Sequence, residues 1–343
     1  DGQAEAGMTY DKTEYTVKVT VTEVSDADGT HIVATPDTAP QELKFTNTYD
    51  PADATLTGDD AIHGTKTLTG RDMKEGETFY FQLAATNENA KSVLPNAKTV
   101  EVTSLTDGSA DFNFGDMSFS KVGKYTFTVN EVADENGIET TNGSGMTYDS
   151  NVCTVTVNVT DGHDGTLKAD VTYSNSAHSS VTDKAQFNNT YKASMNYGAE
   201  GVGGIVVTKT LNDRSEANNT FLFTITGKTE EDTAKLHDQD RKFSHGPLTP
   251  GVPNEMEKLQ QLTFDETDAG KTYTFIVDEL EDEFGPNESA DTLKGVDFDQ
   301  SQYRVDIQVL DNGDGTMHTV TTVTKTMDRD GSAVNEAVYG PSD

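Results

Sequence analysis

The sequence predicts an all-β protein made of tandem β-sandwich domains in an elongated arrangement. Three observations lead there. Short runs of alternating faces, such as residues 15–21 and 153–159, recur along the chain and lead into turns rich in Asp and Gly, the signature of β-hairpins. These runs return at a spacing of roughly 140–150 residues, an ordinary domain size. Long helical patterns are scarce, while Thr and Val abound beside 29 Gly, a composition that suits strands and turns.

The repeats fix the order of the elements. Met8-Thr9-Tyr10-Asp11 and the strand at 15–21 return as Met146-Thr147-Tyr148-Asp149 and the strand at 153–159. A weaker third copy is Val296-Asp297-Phe298-Asp299 with residues 303–309. Their turns are Asp26-Ala27-Asp28-Gly29-Thr30, Asp161-Gly162-His163-Asp164-Gly165-Thr166 and Asp311-Asn312-Gly313-Asp314-Gly315-Thr316. A second block occurs twice. Thr65-Lys66-Thr67-Leu68 matches Thr208-Lys209-Thr210-Leu211, the strand at 78–83 matches 220–225, and the strand at 125–132 matches 273–280. A closing strand, Phe45-Thr46-Asn47-Thr48-Tyr49, returns as Phe187-Asn188-Asn189-Thr190-Tyr191.

Residues 1–50 therefore read as the C-terminal half of a preceding repeat, 51–195 as a complete domain, and 196–343 as a third repeat lacking its final Asn strand. The junction at 193–204 carries four glycines and no apolar periodicity, as a linker should. Residues 229–254 are an insertion of the third repeat, with a short helix expected within 230–240.

Composition narrows the function. A formal charge of −34 repels nucleic acid and anionic membrane surfaces. Cys153 is the single cysteine, so no internal disulfide forms; a cytosolic protein and an extracellular one cross-linked by other chemistry both fit. No apolar run reaches about 18 residues, and no signal peptide is visible. No membrane insertion is expected.

Strand parity singles out three polar residues, because alternate side chains share a face. Lys66 shares a stripe with Ile62, Gly64 and Leu68, and Lys209 with Val207 and Leu211. Glu131 aligns with Tyr125, Phe127 and Val129, and Glu279 with Tyr273, Phe275 and Val277. Asn189 aligns with Phe187 and Tyr191. One Lys, one Glu and one Asn thus aim at one core. Such groups are seldom buried unpaired. One reading is a buried ion pair with Asn satisfying spare hydrogen bonds, which recovers little beyond its desolvation cost. The other is chemical. Burial favours the neutral amine and the neutral carboxyl; a neutral amine is a nucleophile, and the glutamate polarises the Asn carbonyl and shuttles protons. Attack on that carbonyl expels ammonia and leaves a Lys–Asn isopeptide bond.

The order Lys on a first strand, Tyr-Thr-Phe-Thr-Val-x-Glu-Val, Met-Thr-Tyr-Asp and a closing Phe-x-Asn-x-Tyr resembles the streptococcal-type pilin isopeptide-linkage domain, a CnaB-like, Ig-like sandwich of Gram-positive pilins and surface adhesins. The likeness is strong over 51–192 and partial over 1–50 and 205–326. It implies that Lys66 is the nucleophile, Asn189 the electrophile and Glu131 the catalytic acid/base. Lys209 and Glu279 are the equivalents in the third repeat. There no matching acceptor strand follows, and Asn335, flanked by Val334 and Glu336, is a poor candidate. Asn47 is an orphan acceptor whose partners would precede residue 1.

The resemblance implies a structural stalk or shaft of a bacterial surface adhesin or pilus, extracellular and cell-wall-anchored, with sortase-linked wall or pilus neighbours. The chemistry would be single-turnover self-cross-linking, not enzymatic turnover. A host protein- or glycan-binding module, using the acidic 229–254 insertion, is the alternative; an accessory region of an extracellular hydrolase is a further one. No cofactor or metal is expected. The turn at 311–315 starts like a calcium loop but lacks its register, its twelfth-position glutamate and its flanking helices. The histidines lack zinc spacing, Cys153 shares the inward parity of Val155 and Val157, and the glycines at 201–204 precede a strand rather than a phosphate-cradling helix.

Overall fold

The computed structural model describes residues 5–37, 42–199, 204–213, 221–236, 242–245, 251, 254–255, 262–280 and 295–339. The chain divides into two compact units. The first comprises Asp1–Lys66, Gly76–Glu139 and Ser150–Phe187; the second comprises Thr67–Glu75, Thr140–Asp149 and Asn188–Asp343.

Strands dominate from the start. β1 (Met8–Thr9) pairs with β4 (Thr48–Tyr49), and β2 (Val19–Asp26) forms a hairpin with β3 (Gly29–Pro36). Next come β5 (Ala54–Leu56), β6 (His63–Thr69) and β7 (Phe79–Ala85). The short helix α1 (Glu88–Val93) follows, capped by the Asn87 side chain accepting from the Ala90 amide, a standard way to satisfy a first-turn donor. Then come β8 (Lys98–Val102), β9 (Ser109–Asn113), β10 (Met117–Phe119), β11 (Gly123–Val132), β12 (Met146–Thr147), β13 (Val152–Asp161), β14 (Leu167–Asn175) and β15 (Ala185–Tyr191).

These strands build two principal sheets, ordered β14-β13-β11-β7-β8 and β12-β15-β6-β9. Alternation decides what lies between them. In β11, Tyr125, Phe127, Val129 and Glu131 are buried while Thr126, Thr128 and Asn130 are half-buried. β13 buries Cys153, Val155, Val157 and Val159 on one face. Aromatic rings join the two layers: Phe81 of β7 stacks on Phe112 of β9, centroids 4.0 Å apart, and lies 5.1 Å from Phe187 of β15. Such pairs add to the burial of their area. The result is a β-sandwich with polar outer faces.

The remaining strands are β16 (Ser194–Tyr197), β17 (Thr208–Lys209), β18 (Phe221–Gly227), β19 (Lys242–His245), β20 (Asn254–Glu255), β21 (Leu262–Asp265), β22 (Thr272–Leu280), β23 (Gln302–Asp311), β24 (Met317–Met327) and β25 (Ala333–Tyr339). Helix α2 (Glu230–Ala234) lies between β18 and β19 and has a complete capping box from Thr229 and Asp232. The major sheet here is β19-β18-β22-β23-β24-β25, with β16-β21 and β17-β20 as two-stranded companions. Its first five strands repeat the order of the β8-to-β14 sheet. The closing strand differs. β15 lies between β12 and β6, whereas β25 adds to the edge of β24 with register shifts. Phe187, Asn189 and Tyr191 give β15 a buried face. The segment around Asn335 has no such aromatic stripe, and its backbone pairs with β24.

Candidate functional site

β6 and β11 deliver the first two polar residues. β6 alternates so that Gly64, Lys66 and Leu68 are buried. Lys66 is 0% exposed, and its Nζ donates to Glu131 Oε1 at 2.8 Å. Nζ also sits 4.4 Å from the centre of the Phe79 ring, whose negative face favours a cation. β11 carries Glu131 in register with Phe81 of β7 and directs its side chain inward. Burial of this kind strengthens the hydrogen bond and penalises both charges at once.

Asn189 is 1% exposed in β15, the strand next to β6 in its sheet. Its Oδ1 accepts the backbone N–H of Asp149 at 2.9 Å. The Asp149 carboxylate answers: its Oδ2 accepts the Asn188 N–H at 2.6 Å. The Met-Thr-Tyr-Asp motif thus clamps the closing strand from both sides. Strand pairing of Met146 with Tyr191 and Thr147 with Thr190 holds it in register. The first repeat builds the same clamp. Asn47 Oδ1 accepts from the Asp11 N–H at 3.1 Å, and Asp11 Oδ2 accepts from the Thr46 N–H at 2.8 Å. Asn47 itself is exposed. Hydrogen bonds from Thr13 and Thr46 hold the Asp11 carboxyl below its usual range.

The third repeat has the donor and the acid in a different setting. Lys209 Nζ lies 2.6 and 2.7 Å from the two Glu279 oxygens and 4.5 Å from the Phe221 ring centre. Lys209 is 8% exposed. Burial pushes the Glu279 carboxyl up, against the pull of Lys209. The Asp299 N–H, the counterpart of Asp11 and Asp149, points to Glu279 Oε2 at 3.4 Å instead of an asparagine. Asn335 is exposed on edge strand β25.

Parity located Lys66, Glu131 and Asn189 but missed what positions them. Asn151 and Asn175 form a buried network just ahead of β15. Asn151 Nδ2 donates to Asn175 Oδ1 and to the Gln186 carbonyl, both at 2.8 Å. Asn175 Nδ2 donates to the carbonyls of Val181 and Lys184, both at 2.8 Å. The sequence signal was the odd inward parity of Asn175 at the end of β14, aligned with Tyr173. Cys153 is fully buried, and burial raises its thiol pKa to about 11; it is a core side chain. Among the described residues no cluster of His, Cys, Asp or Glu could hold a metal ion, and no helix is long and apolar enough to cross a membrane. Much of the 229–254 insertion, including 237–241, 246–250 and 252–253, lies outside the described residues.

The repeated motifs have a counterpart among known families. The model of the FctA family, described as a Spy0128-like isopeptide-containing domain, matches residues 2–50, 62–192 and 205–337. The chain belongs to this family. No curated protein matches the chain. Among solved structures, a major pilin from Streptococcus pyogenes is 14% identical, covering 84% of this chain and 96% of that one at a TM-score of 0.30. The major pilin T-13 from Streptococcus pyogenes is 14% identical, covering 83% and 95% at 0.27. A shaft pilin from Lactobacillus rhamnosus GG, in a point-mutant form, is 10% identical, covering 82% and 99% at 0.17.

Proposed function

We propose that this FctA-family chain is a structural shaft segment of a Gram-positive surface pilus or adhesin stalk, and that its middle repeat is locked by a self-made isopeptide bond between Lys66 and Asn189. The repeats would span 1–50, 51–195 and 196–343, with neighbouring pilus subunits or the cell wall as partners. The observation that carries this reading is the fully buried Lys66–Glu131 pair, with Lys66 on β6, the strand next to β15, and the buried, clamped Asn189 on β15 itself. A permanent ion pair there gains little over an apolar core; a reactive pair gives the burial a purpose.

The reaction needs no co-reactant. Transfer of one proton from Lys66 to Glu131 turns the ion pair into a neutral amine and a neutral acid. The amine nitrogen bonds to Asn189 Cγ, and the developing oxyanion keeps its hydrogen bond from the Asp149 N–H. Glu131 moves one proton from the attacking nitrogen to the leaving nitrogen. The Cγ–Nδ2 bond breaks and ammonia departs. Fixed donors at the oxyanion and a preset attack geometry are the main rate terms for such a step. The product ties β6 to β15 across a loop of about 120 residues, which the chain-entropy account of cross-links values at about 5 kcal/mol. A pull along the chain then passes through covalent bonds instead of through the sheets.

Intact mass spectrometry tests this. The folded chain should weigh one ammonia less than its sequence, and a cross-linked peptide should join Lys66 to Asn189. Lys66→Ala and Glu131→Ala should each restore the full mass. An unmodified mass in folded wild-type protein overturns the proposal. In the third repeat the Asp299 clamp holds Glu279, so Lys209 should remain a free amine in the same measurement.

A further inference from the structure

The Asp/Gly hairpin turns carry no metal signature, yet they are used twice in one specific way. The tyrosine that closes each Phe-x-Asn-x-Tyr strand reaches the turn of the following repeat. Tyr49 Oη donates to Asp161 Oδ1 at 2.8 Å, and Tyr191 Oη donates to Asp311 Oδ1 at 2.7 Å. The first contact lies wholly within the first compact unit and the second wholly within the second.

The agreement extends beyond the hydroxyl. In each turn the receiving aspartate oxygen also accepts a backbone N–H two residues on, from His163 and from Gly313. The residue three after each tyrosine makes an isolated parallel bridge to the turn threonine: Ala52 to Thr166 and Ser194 to Thr316. A glycine pair sits beneath. A Cβ on Gly7 would lie 3.3 Å from Gly165 Cα and 3.0 Å from the Tyr49 ring; a Cβ on Gly145 would lie 2.7 Å from both Gly315 Cα and the Tyr191 ring. All four glycines have φ between 79° and 86°, which side chains rarely adopt. The second copy is further secured: Gly315 donates its N–H to Tyr191 Oη at 3.1 Å, Lys74 Nζ donates to the Gly313 carbonyl, and the Arg71 guanidinium lies 4.9 Å from the Tyr191 ring centre.

We propose that the closing tyrosine and the Asp/Gly turn are the two halves of a head-to-tail joint. Each repeat offers its tyrosine as the ligand, and the turn of the next repeat is the receptor, with the glycine pair setting how closely they meet. The two junctions are built from copies of the same repeat motifs and make the same tyrosine, aspartate, threonine and glycine contacts, so the contact recurs with the repeat. The turn at Asp26–Gly29 is built in the same manner, with the Asp28 N–H donated to Asp26 Oδ1 at 3.0 Å, so it offers a receptor of the same chemistry: a tyrosine ending such a strand. Because Tyr191 follows Asn189 by two residues on one strand, the joint continues the path of any load carried by that strand.

Native-state hydrogen exchange on the full chain tests the joint. Tyr191→Phe keeps the ring and removes only the hydroxyl; Asp311→Ala removes the receptor. Each should speed exchange at the Gly313, Gly315 and Thr316 amides roughly tenfold or more, and the double variant should do little more than either single one. Exchange in the β11–β13 ladder should stay as in the wild type, which separates loss of the joint from loss of the fold. Tyr49→Phe and Asp161→Ala should repeat the pattern at Thr166. Unchanged exchange at both turns, or fully additive single effects, overturns the proposal.

Discussion

The backbone N–H of Asp149 donates to the Asn189 side-chain carbonyl at 2.9 Å, where the pairing of β12 with β15 holds the chain just ahead of Asp149 in register with the strand that carries Asn189. That carbonyl is the electrophile of the proposed bond. A donor fixed on it before reaction contributes without reorganising. The aspartate side chain tethers Asn188 and so aims its neighbour. Asp149→Ala should therefore keep the donor and loosen the aim. The expected outcome is a bond that still forms, but on the order of tenfold more slowly, seen as un-cross-linked mass in freshly folded protein that declines with time. Asp149→Asn, which keeps an acceptor for the Asn188 N–H, should restore most of the rate.

The Lys66–Glu131 pair makes opposite predictions under its two readings, and one double variant separates them. If the pair were a permanent ion pair, replacing it with Lys66→Met and Glu131→Leu would be neutral or stabilising, by about 1–4 kcal/mol in comparable cases. If it is the source of the Lys66–Asn189 bond, the same variant loses a cross-link worth about 5 kcal/mol. Denaturant unfolding of the double variant should show a clear loss of stability, with the chain at its full sequence mass.

How far the sequence reached depends on which kind of signal each feature carries. Lys66, Glu131 and Asn189 were legible because a strand has a period of two, and a polar residue in phase with Phe127 or Phe187 has to point at the core. The hairpins were legible from Asp/Gly turns. The Asp149 clamp was not, because a backbone donor leaves no mark in the side-chain pattern; only the recurrence of Met-Thr-Tyr-Asp hinted that it had a task. The partner of β25 was not legible either. Ala333 and Ala337 share a face with Asn335 where Phe187 and Tyr191 share one with Asn189, so no large apolar face decides its register, and backbone pairing with the exposed edge of β24 takes over. The tyrosine joints were hidden for another reason: Tyr191 and Asp311 are 120 residues apart, and each looks ordinary in its own repeat.

Asn175 should matter more than an end-of-strand polar residue usually does. Its side chain bonds Asn151, Val181, Lys184 and the Gln186 N–H, and so pins the segment that leads into β15. Asn175→Ala strands several buried donors and acceptors, each costly to leave unmade. A loss of about 3 kcal/mol is expected, together with a lower fraction of chains carrying the Lys66–Asn189 bond, because β15 is then less well placed when the reaction begins. Calorimetry and intact mass on the same sample check both effects.

Acid should act on the third repeat through Asp268. This carboxylate is buried, bonded to Lys235 Nζ at 2.6 Å, to Tyr273 Oη at 2.5 Å and to the Asp265 N–H at 3.0 Å. Burial pushes its pKa up, but the bonds from Lys235, Tyr273 and Asp265 outweigh burial and hold it below the ordinary value of 3.8. The unfolded chain therefore takes up this proton at a higher pH than the folded one. The stability that Asp268 supplies is complete above the ordinary carboxylate range and drains away as pH falls through its lowered folded-state value. At pH 7, Asp268→Asn should cost about 2 kcal/mol, the scale of hydrogen bonds to a charged group. The gap between wild type and variant should close as the pH is lowered below about 4. Thermal melts of the two proteins from pH 7 to pH 3 measure it, and parallel curves over the whole range would remove Asp268 as the acid-sensitive group.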